Sequence, residues 1–317
     1  MAKDQGWLNA QCVLAIVDYS HDSEWIVLYR NGWSTTGIAK KYGVSASTVC
    51  RHLQMHISLR DRIEATVLAS TKYVKTPFSG DGLEGAYLAG FVEDCGVRKS
   101  GRLIEVSTTT THPAMEELFR NAFQRYSHVR RLVGFEGLHS YYHCYLTTYL
   151  DQSFEPVLAR ERGLPARVPQ EAGNPLLNEY LAGLVDAEGT VRLYNNHGRA
   201  DAVLFITIMK YRLLNTLRRI LGGNLYWHER AWRLVFYGKS AVHLLEQMKL
   251  RHREKISKSA IVQWATGRSW SDVEKYWSGL VADIRSDVSE YKANARAEYV
   301  RAHGSPHPKD VAVGGRE

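Results

Sequence analysis

The sequence predicts an α+β chain in which a small all-helical unit precedes a pseudo-twofold pair of αββαββα domains. Three observations lead there. A nine-residue pattern occurs twice, as LAGFVEDCG at 88–96 and LAGLVDAEG at 181–189. Strand-like and helix-like segments follow each copy in a similar order. Upstream of both, residues 34–53 carry the spacing of two short helices around a tight turn.

The helical unit is expected over residues 1–60. DSEWIVLYRNG reads as a helix that stops near Gly32. Ser34 is placed to cap a second helix through Ile38, Ala39 and Tyr42, and Ser45 a third carrying Val49 and Leu53. Gly43 between them suits a turn, because glycine tolerates positive φ. Small Ala39 lets the helices approach, and Val44 plugs the turn. This is helix-turn-helix spacing, and its last helix would offer Ser45, Ser47, Thr48, Arg51 and His52 to a DNA groove. A plain packing hairpin is the alternative. Residues 29–60 hold Arg30, Lys40, Lys41, Arg51 and Arg60 and no acid, within a chain of net charge +8. Such a balance favours a polyanionic partner, because each cation that meets a phosphate releases counterions.

Bulk properties exclude several classes. Hydrophobic residues at 44% and charged residues at 23% describe a globular chain. No apolar run of about 18 residues exists, so no membrane span is expected. The first residues lack the apolar centre of a signal peptide. Cys12, Cys50, Cys95 and Cys144 are too far apart for a zinc knuckle or a disulfide framework. A reducing, cytoplasmic and DNA-associated setting follows. His112, His139, His143 and His252 show no shared metal-binding face.

Residues 61–79 read as a linker and 80–155 as the first domain of the pair. Leu88 aligns with Leu181, 93 residues on. After the first copy come strand-like LIEVSTTTT, helix-like PAMEELFRNAFQRY and strand-like SYYHCYLTTYL. A proline-bearing linker over 156–175 leads to the second domain, 176–285. There TVRLYNN, AVLFITIMK, helix-like YRLLNTLRRIL, NLYWHERAWRLVFYG and helix-like SAVHLLEQM repeat the outline. Residues 286–317 are expected to form a disordered tail. Ala89 with Gly90, and Ala182 with Gly183, remove bulk where two helix backbones would meet, and Gly96 and Gly189 are placed to end those helices.

The duplicated pattern resembles the LAGLIDADG motif of homing endonucleases, over roughly residues 80–265. Helix-turn-helix units occur beside such domains in that family. The resemblance implies site-specific hydrolysis of double-stranded DNA, dependent on Mg²⁺ or another divalent cation. It also implies a monomer, since the partner helix is supplied within the chain. The family's metal-binding acid stands at the eighth motif position, which is Glu188 in the second copy. In the first copy that position is Cys95, a poor ligand for a cation that prefers oxygen. Asp94, one residue earlier, takes the role if the helix end distorts. Otherwise that half is degraded, and the chain nicks one strand or acts as a sequence-specific DNA-binding regulator. An aspartate at position 95 is then expected to raise double-strand cleavage. LRHREKISKSA resembles the family's segment that sets a basic residue near the reacting phosphate, pointing to Lys255 with Arg253 and Lys249 as alternatives. The catalytic set implied is therefore Glu188, Asp94 and Lys255, with Glu188 and Asp94 on the metal.

In that family the strands form two curved antiparallel sheets that lie in the major groove, and the resemblance implies the same here. The resemblance implies groove contacts from Arg102, Glu105, Ser107, Thr109 and Thr111 in the first half. In the second half it implies Arg192, Tyr194, Asn196, Trp227, Glu229, Arg230 and Arg233. Alternate residues of a strand face opposite ways, and the sequence leaves open which set faces DNA.

Overall fold

The computed structural model describes residues 21–30, 32–60, 73–101, 103–136, 141–159 and 161–307. They fall into two compact units, one within residues 1–72 and one within 73–317.

In the first unit, α1 (Asp22–Arg30), α2 (Thr35–Tyr42) and α3 (Ala46–His56) surround Trp25, Tyr29, Ile38, Ala39, Val49 and Leu53. The expected caps form. The Ser34 hydroxyl accepts from Gly37 N and that of Ser45 from Thr48 N, both at 3.0 Å. Gly43 turns the chain at φ 68°.

The second unit contains, among the described residues, two four-stranded antiparallel sheets of matching order. The first half runs α4 (Gly82–Phe91), β1 (Gly96–Ser100), β2 (Leu103–Thr110), α5 (Pro113–Phe123), β3 (Val129–Glu136) and β4 (Tyr141–Asp151), then the short α6 (Glu155–Leu158). Its sheet order is β1-β2-β4-β3. The second half runs α7 (Pro175–Glu188), β5 (Gly189–Asn196), β6 (Arg199–Ile208), α8 (Tyr211–Leu221), β7 (Asn224–His228), β8 (Ala231–Tyr237) and α9 (Gly238–Gln247), with order β5-β6-β8-β7. Two more helices follow, α10 (Arg253–Ala265) and α11 (Trp270–His303). The expected linker is packed rather than loose, since Leu164 and Val168 join the common core.

The motif helices α4 and α7 pack against each other at the centre, and one apolar core runs through both halves. Contact is backbone to backbone. A Cβ on Gly90 would fall 2.0 Å from Tyr180 O, and one on Gly183 2.0 Å from Tyr87 O. Only glycine permits that approach at either crossing point.

Each sheet buries one face and leaves the other open. In β6 the residues alternate strictly between buried and half-buried or exposed. In β2, Thr108 and Thr110 turn inward while Thr109 is exposed. The STTTT run is thus part core, part surface, and the Thr110 hydroxyl is satisfied by the backbone of His112 just past the strand.

Three expectations need correction. The two motif helices do not end alike: α7 continues through Glu188, whereas α4 stops at Phe91 and Val92–Cys95 form a turn. Gly189 does end α7 as its C-cap, in an extended conformation at φ −83°, whereas Gly96 opens β1, past the turn that follows α4. The supposed disordered tail is helical as far as His303. There α11 reaches back over β3 and β4 of the first half, with Ala295 fully buried beside Tyr142 and Cys144. Glu298 pairs with Arg131, and Tyr291 donates to Glu116 at 2.5 Å. This helix covers the same sheet face as the core, so the other face stays open. Residues 308–317 lie outside the described set. Ala295→Asp is expected to lower stability by about 2–4 kcal/mol, because an unpaired carboxyl would be enclosed by aromatic rings. Urea denaturation measures it, and an unchanged midpoint would remove α11 from this seat.

Candidate functional site

The chemistry-bearing groups gather where α4 and α7 end. Early termination of α4 decides which first-copy residue takes part. Once the chain leaves the helix after Phe91, Cys95 turns inward. It is 3% exposed, with Sγ 3.9 Å from Phe91 O. Asp94 turns outward and shares a hydrogen bond with the Glu188 side chain, which stands on the last turn of α7. Two carboxylates so placed repel unless one holds a proton or a cation lies near. Burial first, then the Asp94 charge, holds the Glu188 carboxyl well above the ordinary range, and Lys255 opposes that rise.

Below this pair lies a network that the motif spacing did not disclose. Tyr87, just before the first motif, donates to Asp186 Oδ2 at 2.8 Å across the helix pair. Tyr180, just before the second, donates to Glu93 Oε1 at 3.3 Å. The two crossed pairs repeat the pseudo-twofold relation in polar atoms. Asp186 is fully buried, and desolvation raises its pKa against the hydrogen bonds from Arg251 N and Tyr87. Arg251 also spans to Glu179 at 2.9 Å and stacks 3.5 Å from the Tyr87 ring centroid. A signal existed in retrospect: a tyrosine precedes the leucine of each copy.

Lys255 does reach this region, in a different posture from the one implied. Its Nζ donates to the carbonyls of Val185 at 2.7 Å and Asp186 at 2.6 Å, closing the end of α7. Burial lowers its pKa to about 8, while Asp186, Glu188 and Asp94 pull it upward. The alternatives lie elsewhere. Arg253 pairs with Asp287 at 3.3 Å, and Lys249 lines a separate cavity with Arg125 and Arg251.

Beside Asp94 opens a cavity of about 360 Å³ lined among others by Thr110, His112, His252, Lys255 and Lys258. Sequence reasoning assigned nothing to either histidine and missed Lys258, which lies one helical turn past Lys255 on α10. Burial drives the His252 imidazole down to about 3, so it is neutral at ordinary pH.

The open sheet faces carry part of the candidate set. Glu105, Ser107 and Thr109 share the open face of the first sheet with Tyr145 and Tyr149 of β4, which pair with them or flank them in register. Thr111 follows β2 and lines the cavity beside Asp94. Glu105 is drawn to Arg98 at 2.8 Å, and Ser107 is buried by its neighbours. Arg102 lies outside the described residues. In the second sheet Arg192, Tyr194 and Asn196 face the open side. Arg192 and Arg233 flank the Phe205 ring at 5.6 and 4.5 Å. The Tyr194 hydroxyl donates to Asp201 at 3.0 Å. Arg230 is exposed in the β7–β8 turn beside Glu229. Trp227 has the opposite parity from Tyr226 and Arg233 and packs edge-on against Trp232, so it leaves the groove set.

In the helical unit Ser47 and Arg51 are exposed on α3, Thr48 is half-buried, and Ser45 is occupied as a cap. His52 is corrected: it is 6% exposed, packs edge-on to Trp25, and its Nδ1 lies 3.0 Å from Asp22. Gln54 and Met55 complete the exposed face with Ser47 and Arg51.

Comparison with known proteins places these features beside familiar ones. Residues 24–58 match the homeodomain-like domain family. No curated protein matches the chain. Among solved structures it is similar to a mutant of I-SmaMI, at 11% identity and TM-score 0.38 over 66% of this chain and 98% of that one. The homing endonuclease I-WcaI bound to its DNA recognition sequence matches at 12% identity and TM-score 0.40, over 62% and 90%. Full-length DUF199/WhiA from Thermatoga maritima matches at 18% and 0.38, over 72% and 73%. Homing endonucleases and a WhiA protein thus stand side by side, at TM-scores too low to carry an argument about activity. Among the described residues no helix is long and apolar enough to cross a membrane.

Proposed function

We propose that this chain is a site-specific endonuclease that binds double-stranded DNA and hydrolyses a phosphodiester bond beside Asp94 and Glu188. One observation carries the reading: a carboxylate on the last turn of α7 and another in the turn after α4 meet at the origin of two open-faced sheets, near enough for Asp94 to raise the Glu188 carboxyl. An ordinary structural site does not confine two such groups, because their repulsion costs stability.

The donors suit a hard divalent cation such as Mg²⁺. Both are carboxylate oxygens, and the thiol that would spoil the set is turned into the core. Among the described residues no group of three or more His, Cys, Asp or Glu is arranged around a metal, so remaining positions would fall to water and phosphate oxygens. When bound, the cation supplies Lewis acidity toward the phosphate and neutralises the carboxylate pair. The protein's own part is to present Asp94 from the turn after α4 and Glu188 from the last turn of α7, and to lock α7 there through Lys255. In hydrolysis a bond forms from water oxygen to phosphorus as one bridging P–O bond breaks. The water's proton passes to solvent, and the departing oxygen takes one from solvent.

Arg192, Arg233 and the open faces would grip the duplex, with Ser47 and Arg51 of the homeodomain-like unit adding affinity or flanking specificity. Because α4 already has α7 as partner, the working form is a monomer. A regulator that binds without cutting is the second reading, favoured by the buried Cys95, which leaves the eighth motif position of the first half without an oxygen ligand. Incubating the full chain with a library of randomised duplexes in Mg²⁺ separates them. Strand breaks at a defined sequence, absent in EDTA, are expected. Retention of duplexes with every strand intact would overturn the nuclease reading.

A further inference from the structure

The two halves differ at the positions that flank the carboxylate pair. His112 and Lys210 occupy corresponding places, each the residue before the helix that follows the second strand of its sheet. On the first side, His112 lies 3.5 Å from Glu254 and borders the 360 Å³ cavity beside Asp94. On the second side, Lys210 Nζ is drawn onto Glu93 Oε2 at 2.5 Å and reaches Glu161 O at 3.3 Å.

The cavity has the marks of an anion seat. It lies at the start of α5, an 11-residue helix whose N-cap His112 makes no side-chain cap, and the acid of its first turn, Glu116, is drawn to Arg120 and Arg131. His252, 4% exposed, lines the same space and leaves Nδ1 without a hydrogen-bond partner. Lys258 stands in the wall, near both Arg192 and Glu254. Glu254 is the one acid of that wall besides Asp94, and His112 and Lys258 both oppose its charge. The second side shares the uncapped helix start, at Lys210 before α8, but has no counterpart of His252 and Lys258 among the described residues. Among the described residues no helix lies between Leu158 and Pro175, where a counterpart of α10 would stand. Its flanking cation is already neutralised.

We propose that the chain acts on the two DNA strands unequally: one scissile phosphate seats between Asp94, His112 and Lys258, and that strand is nicked while the other is cut far more slowly. This rests on the nuclease reading above, and the hydrolysis is the step written there, applied to one strand. Lys258 and His112 bind the phosphate oxygens, and the α5 terminus adds its dipole. The mate phosphate meets a lysine that has turned away to Glu93.

A duplex recovered from the library, labelled differently on each strand, tests this with the full chain in Mg²⁺. One strand is expected to be cut at least about tenfold faster, a ratio set by the difference between two barriers. On a supercoiled plasmid bearing the site, nicked circles should accumulate before linear product. A second measurement needs no cutting. In EDTA, single uncharged methylphosphonates are scanned along both strands while affinity is read. One central position on one strand is expected to weaken binding by about fivefold or more, and Lys258→Gln should abolish that effect. Equal rates on both strands, or matching interference on both, would overturn the asymmetry and leave the nuclease reading intact. Failure to cut either strand would overturn the nuclease reading, and the nicking with it.

Discussion

Gly183→Ala is expected to lower the melting temperature of the larger unit by about 10 °C or to prevent its folding, since each kcal/mol lost shifts a domain of this size by roughly 2–4 °C. The added Cβ would lie 2.0 Å from Tyr87 O and 2.8 Å from Phe91 N. These are backbone atoms of a helix and cannot swing aside. The helices must part by about 1 Å or more, and a gap of that size forfeits a quarter to a half of each dispersion contact along the seam. Against this, alanine gains only about 1 kcal/mol of helix propensity over glycine. Gly90→Ala should cost the same, because it meets Tyr180 O and Leu184 N at the same two distances. Gly279→Ala is the control: it lies within α11 with nothing inside 4 Å of the new Cβ. There only propensity acts, and a gain of up to about 1 kcal/mol is expected. Thermal melts of the three variants separate packing from propensity. A melt for Gly183→Ala within a degree or two of the parent would remove the close crossing on which the site depends.

That crossing was legible in the sequence because it depends on composition at fixed spacing. Leu88 and Leu181 each begin the same small-residue pattern, and close packing leaves few other ways to use it. The helix-turn-helix was legible for a similar reason: Ser34, Gly43 and Ser45 act locally, through caps and a turn that involve only their neighbours. What escaped depended on contacts distant in sequence. His52 has the spacing of a groove residue, yet Asp22, 30 positions earlier, draws it inward. Trp227 is exposed, as a strand residue at an edge can be, but its register opposite Trp232 turns it away from the face that carries Tyr226 and Arg233. The polar face of α11 resembles a solvated tail in isolation, and only Tyr142 and Cys144, on the core face of β4, explain why Ala295 is buried there. Lys258 was passed over because α10 has no repeat partner in the first half with which to align it.

Glu188→Gln is expected to reduce strand cleavage by roughly a hundredfold or more, the scale seen when one charge-stabilising group is removed from such a site. Affinity in EDTA should stay the same or rise slightly, because one negative charge near the phosphates is gone. Asp94→Asn should behave alike if the turn after Phe91 has made it the working acid of the first half. The informative contrast is Cys95→Asp. Alignment of the motif treats it as a repair that raises double-strand cutting. The fold argues otherwise, since position 95 is 3% exposed and its side chain faces the Phe91 carbonyl. A carboxyl there would be enclosed without a cationic partner, lowering stability by about 2 kcal/mol or more and adding nothing to cleavage. Rates on a labelled duplex and urea midpoints for the three variants decide the matter together. Higher cleavage by Cys95→Asp, with Asp94→Asn still active, would return the role to the eighth motif position. It would also mean that the chain between Phe91 and Gly96 can rewind into helix when DNA is bound.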